Sequence, residues 1–284
     1  MRYLFVYACA AAFALALVGE AAAAGSSYTL HPAGFGTKSY SSWKAQQGTK
    51  DDSGNANQAL YFQKMTATTT NAAGVAVING LEGLPADELT GLSWLHREDG
   101  HCGAGAPRWD IGLQDGSGHH YTVFLGCNAA LHTETGATTN GVGWCKDDQG
   151  SPGAAIQSQT GQSPTDLTIT GLAIVFDEGN DIPNPPPVGC NQEAVSGGFV
   201  YLDDIDVQVD GMDHCWTSAS DNGNAPASAC DPPPGNSITG STLGIGLPTG
   251  ISVNPLDTAL VSGLRLAGPG VPLAAWLLYP NVIY

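Results

Sequence analysis

Apolar residues in this chain recur with period two, and no stretch of about 12 or more residues carries the helical period. That pattern restricts the fold more than any other feature, because alternating side chains have to bury one face of a sheet. Strands are predicted at 59–65, 75–78, 89–96, 107–114, 119–126, 167–176 and 199–209, with less regular ones at 243–253 and 259–266. Asp115-Gly116-Ser117-Gly118 supplies a hairpin turn between two of them. The segment 129–164, rich in Thr, Gly, Ser and Gln, reads as a long loop, and 180–187 as another. The expected fold is an all-β antiparallel β-sandwich with long loops. Asp231-Pro232-Pro233-Pro234-Gly235 marks its end. The expected division is a leader at 1–24, an N-terminal segment at 25–58, the sandwich at 59–231 and a Gly/Pro-rich C-terminal appendage at 232–284.

The leader reading rests on Arg2, an apolar run over 4–18 and the small residues Ala21-Ala22-Ala23-Ala24. The run is shorter than the roughly 20 apolar residues that span a bilayer, so no membrane span is expected after cleavage. The chain is therefore expected to be secreted, either extracellular or periplasmic. Cys9 lies inside the leader, which leaves Cys102, Cys127, Cys145, Cys190, Cys215 and Cys230. Six cysteines in an exported chain imply disulfides, with 15 connectivities open. Position along the runs favours Cys102 with Cys127 and Cys215 with Cys230, and Cys145 with Cys190 is the remainder. No C-x-x-C pair exists to support zinc.

Charge excludes some partners. The nine Lys and Arg face 26 Asp and Glu, for a net charge of −17. A nucleic-acid binder needs a basic footprint, so nucleic acid is not an expected partner. The acidity is uneven: residues 25–146 hold seven bases and ten acids, whereas 147–284 hold one base and 15 acids.

Two motifs carry a resemblance. Residues 99–109, with the run DGHCGAGAPR, look like a segment of uncharacterised secreted bacterial proteins. Residues 199–209 (FVYLDDIDVQV) are similar to the final strand of carbohydrate-binding jelly rolls. About half the chain thus resembles secreted jelly-roll domains of the galactose-binding-like, carbohydrate-binding-module type. The resemblance implies a noncatalytic module, often with a structural calcium, and no organic cofactor. On strict alternation, Asp203 shares the apolar face of its strand with Phe199, Tyr201, Ile205, Val207 and Val209, while Asp204, Asp206, Gln208 and Asp210 take the solvated one. A carboxylate on a core row needs a partner. Two readings stay open: Asp203 binds Ca²⁺, or it accepts hydrogen bonds in a turn or bulge.

Sugar recognition needs exposed rings. Trp94 and Trp109 follow core positions, so Trp144, Trp216 and Trp43 are the candidate ligand-binding residues. His96, Glu98 and His101 lack the H-E-x-x-H spacing, and His119-His120 splits across two faces, so no catalytic metal is expected. No G-x-S-x-G elbow occurs, and no catalytic residue is assigned. The leading expectation is a secreted carbohydrate-binding module. A polysaccharide hydrolase or lyase using acids such as Glu98 or Asp110 is the enzymatic alternative. A structural surface or matrix protein is the third, and nothing in the sequence sets the oligomeric state.

Overall fold

In the computed structural model, the residues described are 28–50, 58–103, 105–181, 190, 197–221 and 230. The leader, the less regular strands predicted at 243–253 and 259–266 and the appendage lie outside them. The described strands are β1 (Thr29–Phe35), β2 (Ser39–Lys44), β3 (Ala59–Lys64), β4 (Ala73–Asn79), β5 (Leu89–Arg97), β6 (Arg108–Asp115) and β7 (His120–Gly126). They continue with β8 (Leu131–Thr139), β9 (Val142–Gly150), β10 (Leu167–Phe176), β11 (Phe199–Val209) and β12 (Met212–Trp216). A short helix, α1 (Gly153–Thr160), lies between β9 and β10.

The strands form two antiparallel sheets. One has the order β1-β4-β10-β6-β7, and the other β2-β3-β11-β5-β9-β8 with β12 paired to β11. The sandwich is thus all-β, as the alternation predicts. Leu60 and Phe62 of β3, Ile111 and Leu113 of β6, Leu172 and Ile174 of β10 and Ile205 and Val207 of β11 share one buried core. Trp94 of one sheet stacks on Trp109 of the other, with centroids 4.8 Å apart. Aromatic contact of this kind adds to plain area burial.

The β6–β7 hairpin forms where Asp115-Gly116-Ser117-Gly118 predicts it. Gly118 takes φ +84°, and the Asp115 carboxylate accepts the N–H groups of Ser117 and His119, each at 2.9 Å. All three disulfides pair as position suggests: Cys102–Cys127, Cys145–Cys190 and Cys215–Cys230.

Two expectations change. β1 and β2, from the segment set apart at 25–58, are edge strands of the two sheets. The long loop at 129–164 instead holds β8, β9 and α1. Five of the nine residues of β8 are exposed, so its sequence carries no apolar row to read.

The β11 strand also departs from simple alternation. Asp204 adopts φ +43°, and the register against β5 shifts between Asp203 and Asp206. This bulge inverts the phase of the strand halfway along. Val200 and Leu202 point into the core before it, and Ile205, Val207 and Val209 after it. Phe199, Tyr201 and Asp203 therefore lie on the outer face, not the core row. Asp204 and Asp206 are buried rather than solvated, because β11 runs through the middle of its sheet.

Candidate functional site

The outer face of the seven-stranded sheet gathers aromatic side chains from three adjacent strands. In β2 and β3, Trp43, Leu60 and Phe62 pack inward, which turns Tyr40, Lys44, Tyr61 and Gln63 outward. Tyr201 pairs directly with Tyr61 across β11 and β3. Ring centroids lie 5.9 Å apart for Tyr40–Tyr61, 4.7 Å for Tyr61–Tyr201 and 6.1 Å for Tyr201–Phe199, so the four rings form a continuous patch. Tyr40 is 38% exposed, and the other three are half-buried.

Polar groups frame the rings. The Arg97 guanidinium stacks on Tyr201 at 3.7 Å, while its Nε and Nη2 donate to Asp99 and its Nη1 to the Gln47 amide oxygen. Lys44 Nζ stands 5.4 Å from the Tyr40 ring and 5.5 Å from the Tyr61 ring. The Tyr61 hydroxyl donates to Gln63 Oε1 at 3.1 Å. Burial, with Tyr40 and Tyr201 beside it, pushes the Tyr61 phenol up to about 12, so it stays neutral.

The tryptophans singled out from the sequence do other work. Trp144 and Trp216 are each 1% exposed. Trp144 Nε1 donates to Thr139 Oγ1, whose hydroxyl donates to the Gly48 carbonyl. Trp216 belongs to the main core, and Trp43 packs against it half-buried. None of the three offers an open face, because each sits at an inward position or under a loop. The usable rings are tyrosines, and the alternation of SYSSWK and ALYFQK could have revealed them.

Asp203 is fully buried at the bulge. Its Oδ2 accepts the Thr49 N–H at 2.5 Å and the Thr49 hydroxyl at 3.1 Å, and its Oδ1 accepts the Asp204 N–H at 2.9 Å. These are the contacts of the hydrogen-bonded bulge reading. The carboxylate ties the 45–50 loop to the outer face beside the rings.

Two further polar clusters appear. At one end of the sandwich, Arg108 Nε donates to Asp110 at 2.7 Å, and its Nη1 to Asp177 at 2.6 Å and the Gly105 carbonyl at 2.7 Å. His101 Nε2 and Glu178 pair alongside, and Glu178 packs against Gly103 and Gly105. The described residues of the DGHCGAGAPR run are thus held by the Cys102–Cys127 disulfide, the contacts of Arg108 with Asp110 and Asp177 and the His101–Glu178 hydrogen bond. Asp110, a candidate acid of the hydrolase alternative, is fully buried and held by Arg108. It has no path to a polysaccharide.

The second cluster lies on the inner face at the β8 edge. Asp147 Oδ2 accepts Trp94 Nε1–H at 2.7 Å and pairs with His96 Nδ1 at 2.6 Å, and its Oδ1 pairs with His132 Nδ1 at 2.7 Å. The Asp147 carboxyl is buried, a penalty outweighed by the two histidines, and it sits below the usual carboxylate range. Its hydrogen bond raises the His132 imidazole. Among the described residues, two groups place three or more ligand atoms close together: His96, Cys102, His132 and Asp147, and Glu98 with Cys145 and Cys190. All three cysteines are disulfide-bonded, so the second group retains only Glu98 as an anionic ligand.

The chain matches no protein-family model and no curated protein.

The buried acids set a pH dependence. Burial pushes Asp110 and Asp203 each up to about 7 and Asp206 to about 6. An unfolded aspartate titrates near 3.9. Between about pH 4 and 7 the folded chain therefore holds protons that the unfolded chain has released, and stability falls as pH rises. Thermal unfolding across pH 5 to 8 should show the higher Tm at pH 5. A flat or rising profile would contradict the assignment.

Proposed function

We propose that this chain is a noncatalytic, extracellular binding module that takes up carbohydrate on the outer face of its seven-stranded sheet. The observation that carries this is the unbroken patch of Tyr40, Tyr61, Tyr201 and Phe199. Flat apolar rings present stacking surfaces for the C–H faces of sugars, and the nearby amides and charges supply orienting hydrogen bonds. Gln47, Gln63, Arg97 and Asp99 fill that second role. Lys44 adds a positive charge beside the rings, which favours a glycan bearing carboxylate or sulfate groups. The resemblance of 199–209 to a carbohydrate-binding strand supports the same reading. So do the three disulfides, which are compatible with an oxidising compartment. Among the described residues, no helix is long and apolar enough to cross a membrane.

The test is a glycan array with polysaccharide pull-downs, including neutral and acidic polymers, followed by variants. Tyr61→Ala and Tyr201→Ala should each weaken binding by roughly tenfold, the size expected for one lost stacking contact. Trp216→Phe should leave affinity unchanged, because that ring is in the core. Failure of every glycan to bind, or full binding by both tyrosine variants, would refute the proposal.

A further inference from the structure

We infer that His96, His132 and Asp147 form a site for a divalent transition-metal ion of the zinc class. The three residues come from neighbouring strands β5, β8 and β9. Asp147 lies opposite His132 on one side and opposite Trp94 on the other, so the sheet register brings the cluster together. Two imidazoles and a carboxylate are a donor set that zinc accepts, with a fourth position left for water.

The donor atoms already converge. Both Nδ1 atoms face the two oxygens of a single carboxylate, at 2.6 and 2.7 Å. An ion in place of the shared protons, with bonds of 2.0–2.2 Å, would set tetrahedral ligand atoms about 3.3 Å apart. The rings would need to withdraw by about 0.6 Å on that geometry. His132 can do so, because it is only partly buried and stands on the edge strand β8.

The surroundings fit a bound cation. Trp94 Nε1–H holds Asp147 Oδ2 from the far side, as an outer hydrogen bond does when it orients a ligating carboxylate. Cys127 Sγ lies 3.2 Å from the same oxygen, but it is bonded to Cys102. A disulfide sulfur lacks the thiolate charge that binds zinc, so this pair walls the site rather than completing it.

The experiment uses the full chain, stripped with chelator and with its disulfides intact. Zinc titrated by calorimetry should bind at one ion per chain with Kd of about 1 µM or tighter. Cobalt should give the visible absorption of a tetrahedral nitrogen–oxygen site. His132→Gln should weaken zinc at least tenfold, and Trp94→Phe by roughly tenfold through the lost outer hydrogen bond. His119→Gln, on an exposed turn, should change nothing. No zinc binding below about 100 µM, or unchanged binding by His132→Gln, would overturn the inference. If His132→Gln fails to fold, the wild-type histidine ring nitrogens decide by NMR: shifts at His96 and His132 on adding zinc support the site, and their absence removes it. Neither readout uses a glycan, so failure here leaves the binding-module proposal standing, and the reverse also holds.

Discussion

Replacing Arg108 with methionine should destabilise the fold by about 3–5 kcal/mol, the range for removing one partner of a buried ion pair. Arg108 bridges Asp110, Asp177 and the Gly105 carbonyl. Without it, Asp110 is a fully buried carboxylate with no counter-charge. Its Oδ2 already has no hydrogen-bond partner among the described residues, so nothing nearby can take over. Asp110→Asn should cost less, because Arg108 keeps Asp177 and the carbonyl. The two variants also differ in pH dependence. In Arg108→Met, Asp110 is neutral below its raised pKa and charged above it, so the loss should be larger at pH 8 than at pH 5. Urea unfolding at both pH values measures this. Equal losses in the two variants would show that the charge of Asp110 is unimportant.

Lys64→Met should be nearly as damaging, at roughly 3–5 kcal/mol, since unmet buried polar groups cost about 1–3 kcal/mol each without adding fully. Lys64 shares the inward parity of Leu60 and Phe62 and is 1% exposed. Its Nζ donates to the carbonyls of Thr68 at 2.8 Å, Thr70 at 2.9 Å and Asp177 at 2.5 Å. One ammonium thereby closes the end of the sandwich by tying the turn after β3 to the strand end after β10. Burial lowers the Lys64 pKa, against the pull of Asp177. Methionine matches the length but donates nothing. Lys38→Met, at an exposed turn position, should fall within about 0.5 kcal/mol of wild type. The comparison separates loss of these three bonds from general loss of charge.

The two variants also bear on the aromatic face. Neither side chain is part of the patch, because Lys64 shares the inward parity of Leu60 and Phe62 and Arg108 belongs to the five-stranded sheet. Where they remain folded, carbohydrate binding should persist, while stability drops.

How much was legible in the sequence follows from where each strand lies. β3, β4, β5, β6, β7, β10 and β11 were visible because each buries a continuous apolar row. β1, β2 and β8 are sheet edges and β12 pairs only with β11, and none of them carries a full apolar row, whereas the edge strand β7 keeps Tyr121, Val123 and Leu125 against the core. β9 escaped because its inward positions include Asp147, which breaks the pattern. Positions along the runs favoured the disulfide pairs.

Sequence by itself therefore determined an all-β sandwich, its central strands and one hairpin turn, since these depend on local periodicity and spacing; it favoured the cysteine pairing, which the fold then fixed. Only tertiary structure decided the rest. The bulge at Asp203 and Asp204 reversed which half of β11 faces outward, and so moved Tyr201 onto the patch with Tyr61. Strand register set His96, His132 and Asp147 side by side, although 36 residues separate the two histidines. Local alternation assigns a face to each side chain, but it cannot say which strands become neighbours, and both candidate sites are made by neighbours.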